Sequence, residues 1–205
     1  MSREHWQQVY ATKADNAVSC YESTPEVSLA LIRGAGIGTE AAVVDIGGGA
    51  SHLVDALLAQ GQNHIAVLDL AGAALEVAKR RTGAKGSRVE WIESDVTRWK
   101  PKRQYDAWHD RATFHFLTEE ADQKLYLEVL LSALRPGGTA IVGTFALNGP
   151  QTCSGLPLIR HDAASLSRRF GRTFELLDSQ NQDHVTPWGS VQNFQFARFR
   201  SRAAS

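Results

Sequence analysis

The sequence is poor in the features that mark secreted, membrane-bound and nucleic-acid-binding proteins. Its 205 residues include two cysteines, Cys20 and Cys153, too few for a framework of several disulfides. No apolar run approaches the roughly 20 residues that a membrane-spanning helix needs, and the first residues lack the apolar core of a secretory signal. Acidic and basic residues balance at 22 each, without the positive excess of a typical nucleic-acid binder. We therefore expect a cytoplasmic protein with neither membrane nor nucleic acid as a partner.

Short apolar strands alternate with helical segments through the middle of the chain. Strands are predicted at Ala41–Ile46, Ile65–Leu70, Arg88–Glu93, Tyr105–His109 and Thr139–Phe145. Helices are predicted at Glu4–Tyr10, Pro25–Arg33, His52–Gln60, Ala73–Arg81, Glu119–Arg135 and Asp162–Phe170. This alternation favours one α/β domain with a mostly parallel sheet and helices on both faces. The last two strands, Thr173–Leu177 and Val191–Arg200, have no helix between them, which predicts an antiparallel hairpin.

The sharpest feature is a run of three glycines directly after a buried strand, in V-V-D-I-G-G-G-A-S at 43–51. Glycines at such a turn let the backbone approach a ligand without Cβ contacts. Asp69 ends the next strand, 20 residues after Gly49, and Asp95 follows the third strand. An acid near the first of these spacings commonly binds ribose hydroxyls. Together with the glycines, these acids predict a ligand that contains a nucleoside.

The details of the turn discriminate between nucleoside ligands. A dinucleotide fingerprint needs a third glycine, but that position is His52. Asp45, two residues before the first glycine, would repel a pyrophosphate and attract a cationic ammonium group. The pattern therefore favours S-adenosylmethionine, which carries an amino acid and a sulfonium group but no phosphate.

Four motifs in this order resemble the class I S-adenosylmethionine-dependent methyltransferases. They are D-I-G-G-G-A-S at 45–51, V-L-D-L at 67–70, S-D-V at 94–96 and L-R-P-G-G-T at 134–139. Ser51 stands where the family usually has a third glycine. The resemblance implies a Rossmann-like seven-stranded sheet of order 3-2-1-4-5-7-6, with strand 7 antiparallel.

The resemblance also implies the cofactor contacts. Gly47 and Gly49 would line the methionine part of S-adenosylmethionine, and Asp45 would position it. Asp69 would accept hydrogen bonds from the two ribose hydroxyls. Leu70 and Val96 would flank the adenine, and Asp95 would accept from its amino group. After transfer the product would be S-adenosylhomocysteine.

We predict a single domain over residues 1–200 with three parts. They are a helical cap or lid at 1–38, a cofactor-binding core at 39–145, and acceptor-side loops with the C-terminal hairpin at 146–200. A loose tail is expected at 201–205. Three loops, at about 110–117, 146–161 and 179–190, should frame the acceptor, because they follow strands whose carboxyl ends face the cofactor.

These loops supply the candidates for catalysis and acceptor binding. Methyl transfer needs alignment of acceptor and methyl group, and a base where the acceptor carries a proton. Candidates for that base are His109, Asp110 and His115, and each could instead be a structural group. Candidates for acceptor contacts are Arg111, Cys153, His184 and Trp188. The spacing of Cys153, His161 and His184 matches no standard zinc pattern, so no metal is expected.

The opening His5-Trp6-x-x-x-Tyr10 is partly similar to that of the citrate-synthase and elongation-factor lysine methyltransferases. Gln7 replaces their aspartate. The likeness makes Tyr10 a candidate contact for the methionine end of the cofactor, while Trp6 could simply anchor the first helix. Asp110-Arg111-Ala112-Thr113 only partly matches the D-K-G-T segment of that group.

The leading interpretation is a methyltransferase acting on a small molecule, such as a thiol, a metalloid or a metabolite. A protein-lysine methyltransferase is the first alternative. An NAD-dependent oxidoreductase and a non-catalytic cofactor-binding protein are alternatives of other classes. The sequence leaves the oligomeric state open.

Overall fold

The computed structural model describes residues 2–12 and 17–202 of the chain. Its α-helices are α1 (Arg3–Thr12), α2 (Glu26–Gly34), α3 (Leu53–Ala59), α4 (Gly72–Thr82), α5 (Glu120–Ala133) and α6 (Ala163–Phe170). Its strands are β1 (Ala42–Ile46), β2 (His64–Asp69), β3 (Val89–Glu93), β4 (Tyr105–Arg111), β5 (Leu134–Phe145), β6 (Thr152–Cys153), β7 (Leu156–Pro157), β8 (Phe174–Val185) and β9 (Val191–Ser201). Short 3₁₀ helices cover Gly83–Arg88, Phe114–Phe116 and Gly171–Thr173.

The main sheet has seven strands in the order β3-β2-β1-β4-β5-β9-β8. Its first five strands are parallel to one another, and β9 runs antiparallel to both β5 and β8. The small ribbon β6–β7 is separate. Without that ribbon, the order is the predicted 3-2-1-4-5-7-6 with the seventh strand antiparallel. The predicted fold class is therefore confirmed.

Alternate residues of the central strands pack into cores on opposite faces of the sheet, as the two-residue period of a strand requires. Val44 and Trp108 belong to a core with Tyr126 of α5. Val43 and Ala107 belong to the opposite core, which includes residues of α2, α3 and α4. Because both faces are covered, β1 is buried along its whole length.

The chain order reverses beside β1, because β2 pairs with one of its edges and β4 with the other. Connections from β1 and β4 therefore diverge at their carboxyl ends and leave a crevice. The glycine turn that follows Ile46 lies at this point.

The C-terminal hairpin is longer than predicted. β8 continues to Val185 rather than ending at Leu177, and it pairs with β9 up to the Val185–Val191 position. The loop predicted at about 179–190 is thus mostly strand, with a turn at 186–190. β8 is an edge strand, and it exposes most of its side chains. Its polar run D-S-Q-N-Q-D is therefore hard to distinguish from a loop in the sequence.

Two other boundaries differ. Helix α5 ends at Ala133, and the Pro136-Gly137-Gly138 segment belongs to β5. Ser201, predicted in the loose tail, is buried in β9, and its Oγ donates to the carbonyl of Arg135 at 2.8 Å. Residues 203–205 of that tail lie outside the described residues. Among all the residues that the structure describes, no helix is long and apolar enough to cross a membrane.

Candidate active site

A cavity, called the main cavity below, lies at the carboxyl ends of the central strands, beside α1. It brings together most of the residues predicted for the cofactor and two predicted for the acceptor. These are Tyr10, Gly47, Asp69, Leu70, Asp95, Val96, Arg111 and Cys153. A second cavity shares Tyr10, Gly47 and Arg111 with the first and adds Asp45 and His109.

The glycine turn is packed too tightly to accept side chains. Gly47 has φ +67°, a left-handed conformation that favours glycine, and a Cβ there would overlap the Thr113 hydroxyl. A Cβ on Gly49 would lie 2.5 Å from the Cβ of Ala74 and 2.7 Å from Asp69 Oδ2. The turn is therefore fixed between the ends of β2 and β4, with its backbone facing the cavities.

Asp69 links the glycine turn to the end of β2. Its Oδ2 accepts from the Gly49 amide at 3.0 Å and its Oδ1 from the Ala71 amide at 2.8 Å. The residue is 6% exposed, and this burial raises the pKa of its carboxyl to about 6. Each oxygen retains a further lone pair, so the carboxylate can accept from a hydroxylated ligand in the main cavity.

Asp95 begins a tight turn after β3. Its Oδ1 accepts from the Thr97 amide at 2.9 Å and from the Thr97 hydroxyl at 2.7 Å. Leu70 and Val96 line the same end of the cavity. Apolar side chains beside a carboxylate suit a flat aromatic ring that carries an amino group.

Asp45 and His109 lie side by side on β1 and β4 and are both buried. His109 Nδ1 lies 2.7 Å from Asp45 Oδ1, and its Nε2 lies 2.9 Å from the Ser28 hydroxyl on α2. Both ring nitrogens are thus occupied by protein groups. This geometry does not suit the predicted role of His109 as the base for an acceptor.

Asp110, also predicted as a base, is fully buried and lines neither cavity. Its carboxylate accepts from the amides of Thr113 and Phe114 at 2.9 and 3.1 Å and from the Tyr126 hydroxyl at 2.7 Å. Burial raises the pKa of Asp110 to about 6. These contacts shape the turn after β4 that carries Ala112 and Thr113 into the main cavity.

His115, the third candidate base, is also fully buried and lines neither cavity. Its Nδ1 accepts from the Phe145 amide at 3.2 Å. Burial lowers the pKa of His115 to about 3, so the ring is neutral near pH 7. The structure therefore does not bring His109, Asp110 and His115 together, because His109 lines the second cavity whereas Asp110 and His115 line neither.

The Asp110 contacts give a stability prediction. Tyr126 also accepts from Trp108 Nε1 at 2.9 Å, so Tyr126→Phe removes one hydrogen bond to a buried carboxylate and one to a buried indole. We expect a loss of about 2–4 kcal/mol in the free energy of unfolding, measured by urea denaturation at pH 8. The loss should shrink at pH 5, because Asp110 with its pKa near 6 is then protonated.

The matched control is Tyr105→Phe, which removes a hydroxyl whose nearest partner is Glu90 at 3.4 Å. We expect this variant to lose less than about 1 kcal/mol. Equal losses in the two variants would contradict the role given to Tyr126.

Of the four predicted acceptor residues, Arg111 and Cys153 line the main cavity, and His184 and Trp188 do not. His184 Nε2 faces the Ser19 carbonyl at 2.7 Å, and its Nδ1 lies 3.4 Å from Glu22 Oε1. Trp188 is 60% exposed at the tip of the β8–β9 hairpin. His184 lies on β8, within the segment predicted as a loop, and Trp188 lies in the turn that follows it.

Helix α1 lies over the cavity as the predicted lid would. Trp6 packs edge-on against Phe116 at 5.2 Å between ring centres and stacks near Tyr10 at 6.1 Å. Gln7 Oε1 accepts from the Ala73 amide at the start of α4, and both Trp6 and Tyr10 line the main cavity. Trp6 can therefore anchor the helix while it and Tyr10 also face the cavity. Residues 13–16 of the predicted cap lie outside the described residues.

Several lining residues escaped sequence reasoning. Val18, Cys20 and Ser154 line the main cavity, and Ser28 lines the second. Ser28 sits on the buried face of α2, where its position gives no signal of a polar partner. The ribbon β6–β7 places Cys153 and Ser154 beside the cavity, and two-residue strands leave no periodic pattern to read. In the part of the chain described, no group of three His, Cys, Asp or Glu side chains could hold a metal.

Comparison with known families now identifies the class. Residues 43–138 match the family described as a methyltransferase domain. The matched segment contains the glycine turn, Asp69 and Asp95, and it supports the predicted class I S-adenosylmethionine-dependent methyltransferase family with S-adenosylmethionine as the cofactor. A comparison with curated proteins gave no match.

Solved structures share the fold at low sequence identity. The chain is similar to 1,6-didemethyltoxoflavin-N1-methyltransferase from Burkholderia thailandensis, solved with 1,6-didemethyltoxoflavin and S-adenosylhomocysteine, at 20% identity and a TM-score of 0.72 over 98% of this chain and 87% of that one. It is similar to the N-methyltransferase NodS from Bradyrhizobium japonicum in complex with S-adenosylhomocysteine, at 15% identity and a TM-score of 0.73 over 99% and 100% of the two chains. A structure from work on the conversion of a disulfide bond into a thioacetal group in echinomycin biosynthesis matches at 20% identity and a TM-score of 0.77, over 100% of this chain and 94% of that one.

Proposed function

We propose that the protein transfers the methyl group of S-adenosylmethionine to a small molecule, with a thiol as the favoured acceptor. The observation that carries this proposal is the apolar part of the lining of the main cavity. Trp6, Phe116 and Cys153 belong to this lining, and Trp6 lies on α1. An apolar pocket next to a lid suits a small acceptor better than a long surface segment.

The described residues fit the cofactor. Asp69 would accept from the ribose hydroxyls, Asp95 would accept from the adenine amino group, and Leu70 and Val96 would flank the ring. Asp45 Oδ2 is buried without a hydrogen-bond partner and lines the second cavity, where the ammonium group would satisfy it. When bound, the cofactor supplies a methyl group on a positively charged sulfur, which is electrophilic.

The chemistry of the lining favours an acceptor that needs no strong base from the protein. Burial raises the pKa of Cys20 to about 11 and the pKa of Tyr10 well above its usual range, so both groups hold their protons. Among the described residues that line the main cavity, the carboxylates are Asp69 and Asp95, both assigned to the adenosine. A thiol fits because, with a pKa near 8.5, a small fraction is thiolate at neutral pH.

Arg111 adds a reason to favour a thiolate. Its guanidinium packs 4.5 Å above the Phe194 ring and donates to the Cys20 carbonyl at 2.8 Å. It lines both cavities and lies 3.3 Å from Glu22 Oε1, while its buried Nε has no hydrogen-bond partner among the described residues. A cation beside the acceptor would stabilise the thiolate over the thiol.

The test uses methyl-labelled S-adenosylmethionine with a panel of small thiols and, separately, with a cell lysate. We expect label in small thioethers, at a rate that rises about tenfold per pH unit from pH 6 to 8 because only the thiolate reacts. Asp69→Ala, expected to bind the cofactor poorly, is the control for background label. Label confined to protein lysines would instead support the lysine-methyltransferase alternative and overturn the small-molecule proposal.

A further inference from the structure

A chain of three buried hydrogen-bonding side chains joins α2 to the glycine turn. Ser28 is 1%, Asp45 2% and His109 2% exposed. The Ser28 hydroxyl lies 2.9 Å from His109 Nε2, and His109 Nδ1 lies 2.7 Å from Asp45 Oδ1. All three residues line the second cavity. The positions of the hydrogens decide which of these atoms donate and which accept.

The carboxylate fixes the tautomer of the ring. An ionised Asp45 can only accept, so His109 carries its proton on Nδ1 and donates it to Asp45 Oδ1. In the neutral ring, His109 Nε2 is the acceptor and the Ser28 hydroxyl donates to it. This arrangement holds Asp45 in one orientation, with its Oδ1 hydrogen-bonded to His109 on β4.

The other oxygen, Oδ2, is left for a ligand. It is buried and has no hydrogen-bond partner among the residues that the structure describes. It lies against Gly48, where any Cβ would overlap it. A buried carboxylate oxygen without a donor is costly, and a cationic donor in the second cavity would remove that cost.

We propose that His109 is a positioning residue, which with Ser28 aims Asp45 Oδ2 at the α-ammonium group of the cofactor. This inference rests on the proposed function only for the identity of the cofactor and is independent of the acceptor. It reassigns His109 from the predicted base to a residue that acts through Asp45.

Two substitutions separate the two ends of the ring. His109→Asn places an amide N–H near the Nδ1 position and can still donate to Asp45, whereas His109→Gln places its amide near Nε2 and cannot. Two ligands distinguish a loss of Asp45 positioning from a general disruption of the binding site. S-adenosylhomocysteine carries the α-ammonium group, and 5′-methylthioadenosine has the same adenosine and thioether without the amino acid.

We expect His109→Gln to lose about tenfold in affinity for S-adenosylhomocysteine, from a weakened charge-assisted hydrogen bond. Its affinity for 5′-methylthioadenosine should stay within about twofold, and His109→Asn should retain affinity for both ligands. Ser28→Ala, which leaves the His109–Asp45 bond in place, should lose about threefold for S-adenosylhomocysteine alone. This variant keeps the proposal testable if His109→Gln does not fold.

Calorimetric titration of each folded variant decides the matter. Equal losses for both ligands, equal losses in the Asn and Gln variants, or no loss in any variant would overturn the proposal. Failure of the proposed function looks different, because the wild-type protein would then bind S-adenosylhomocysteine but methylate no small acceptor. A wild-type protein that does not bind S-adenosylhomocysteine would overturn both.

Discussion

Asp69→Ala is expected to lower the affinity for S-adenosylhomocysteine by about 100-fold or more, because it removes an anionic acceptor for two hydroxyl donors. The carboxylate is buried, lines the main cavity, and is held by the amides of Gly49 and Ala71. The two amides hold the carboxylate in place, as the proposed ribose contact requires. Calorimetric titration at pH 8 measures the effect.

The matched control for this variant is Asp106→Ala. Asp106 also accepts a backbone N–H, from Ala42 at 2.7 Å, and pairs with Arg135 at 2.7 Å, but it lies at the amino ends of the strands, away from the cavity. We expect this change to leave cofactor affinity within about threefold, because it affects the free energy of unfolding and not the cofactor site. Similar affinity losses in the two variants would contradict the ribose assignment.

The same carboxylate predicts a pH dependence. In the free protein, burial raises the pKa of Asp69 to about 6. Hydroxyl donors favour the charged form, so binding must displace a proton below pH 6, and affinity should fall there by up to about tenfold per pH unit. The effect of pH on folding has the opposite sign. Because the pKa of Asp69 is raised in the folded state, its contribution to stability is fully present below the unfolded pKa and is lost as the pH rises through 6. Asp69→Asn should flatten the binding curve between pH 5 and 7.

Gly49→Ala is expected to abolish measurable cofactor binding and to destabilise the fold. Its Cβ would lie 2.5 Å from Ala74 Cβ and 2.7 Å from Asp69 Oδ2, so the turn must move away from β2. Movement breaks the Gly49–Asp69 hydrogen bond and displaces the ribose acceptor. Overpacking of this kind costs about 1–3 kcal/mol, which thermal unfolding measures alongside titration with S-adenosylhomocysteine.

Gly38→Ala is the control, because a Cβ at Gly38 has nothing within 4 Å and, as at Gly49, the backbone φ is not left-handed. The two variants thus differ in steric surroundings rather than in backbone strain. We expect Gly38→Ala to keep full cofactor affinity and its stability within about 1 kcal/mol. A Gly49→Ala protein that binds normally would show that the glycine turn does not approach the cofactor.

The sequence predicted the fold, and it predicted that Asp69 and Asp95 would lie together at one edge of the sheet, because both depend on local patterns. Asp69 and Asp95 follow strands that an apolar, β-branched run identifies, and parallel strands bring their carboxyl ends to one edge. The glycines between β1 and α3 mark the turn itself. Each of these inferences needs only the strand order, which the structure confirms.

The acceptor end could not be predicted in the same way. His109, Asp110 and His115 occupy consecutive parts of β4 and its turn, and only the packing shows that all three are buried and hydrogen-bonded to other protein groups. The long β8 was missed because an edge strand exposes polar side chains much as a loop does. Ser28 became part of the site through a contact between residues 81 positions apart, which no local pattern reveals.

Calorimetric titration of the purified protein with S-adenosylhomocysteine and, separately, with NAD tests most directly that these cavities bind S-adenosylmethionine. We expect saturable binding of one S-adenosylhomocysteine per chain and no detectable binding of NAD, because Asp45 beside the glycine turn would repel a pyrophosphate. Tight binding of NAD without binding of S-adenosylhomocysteine would contradict it.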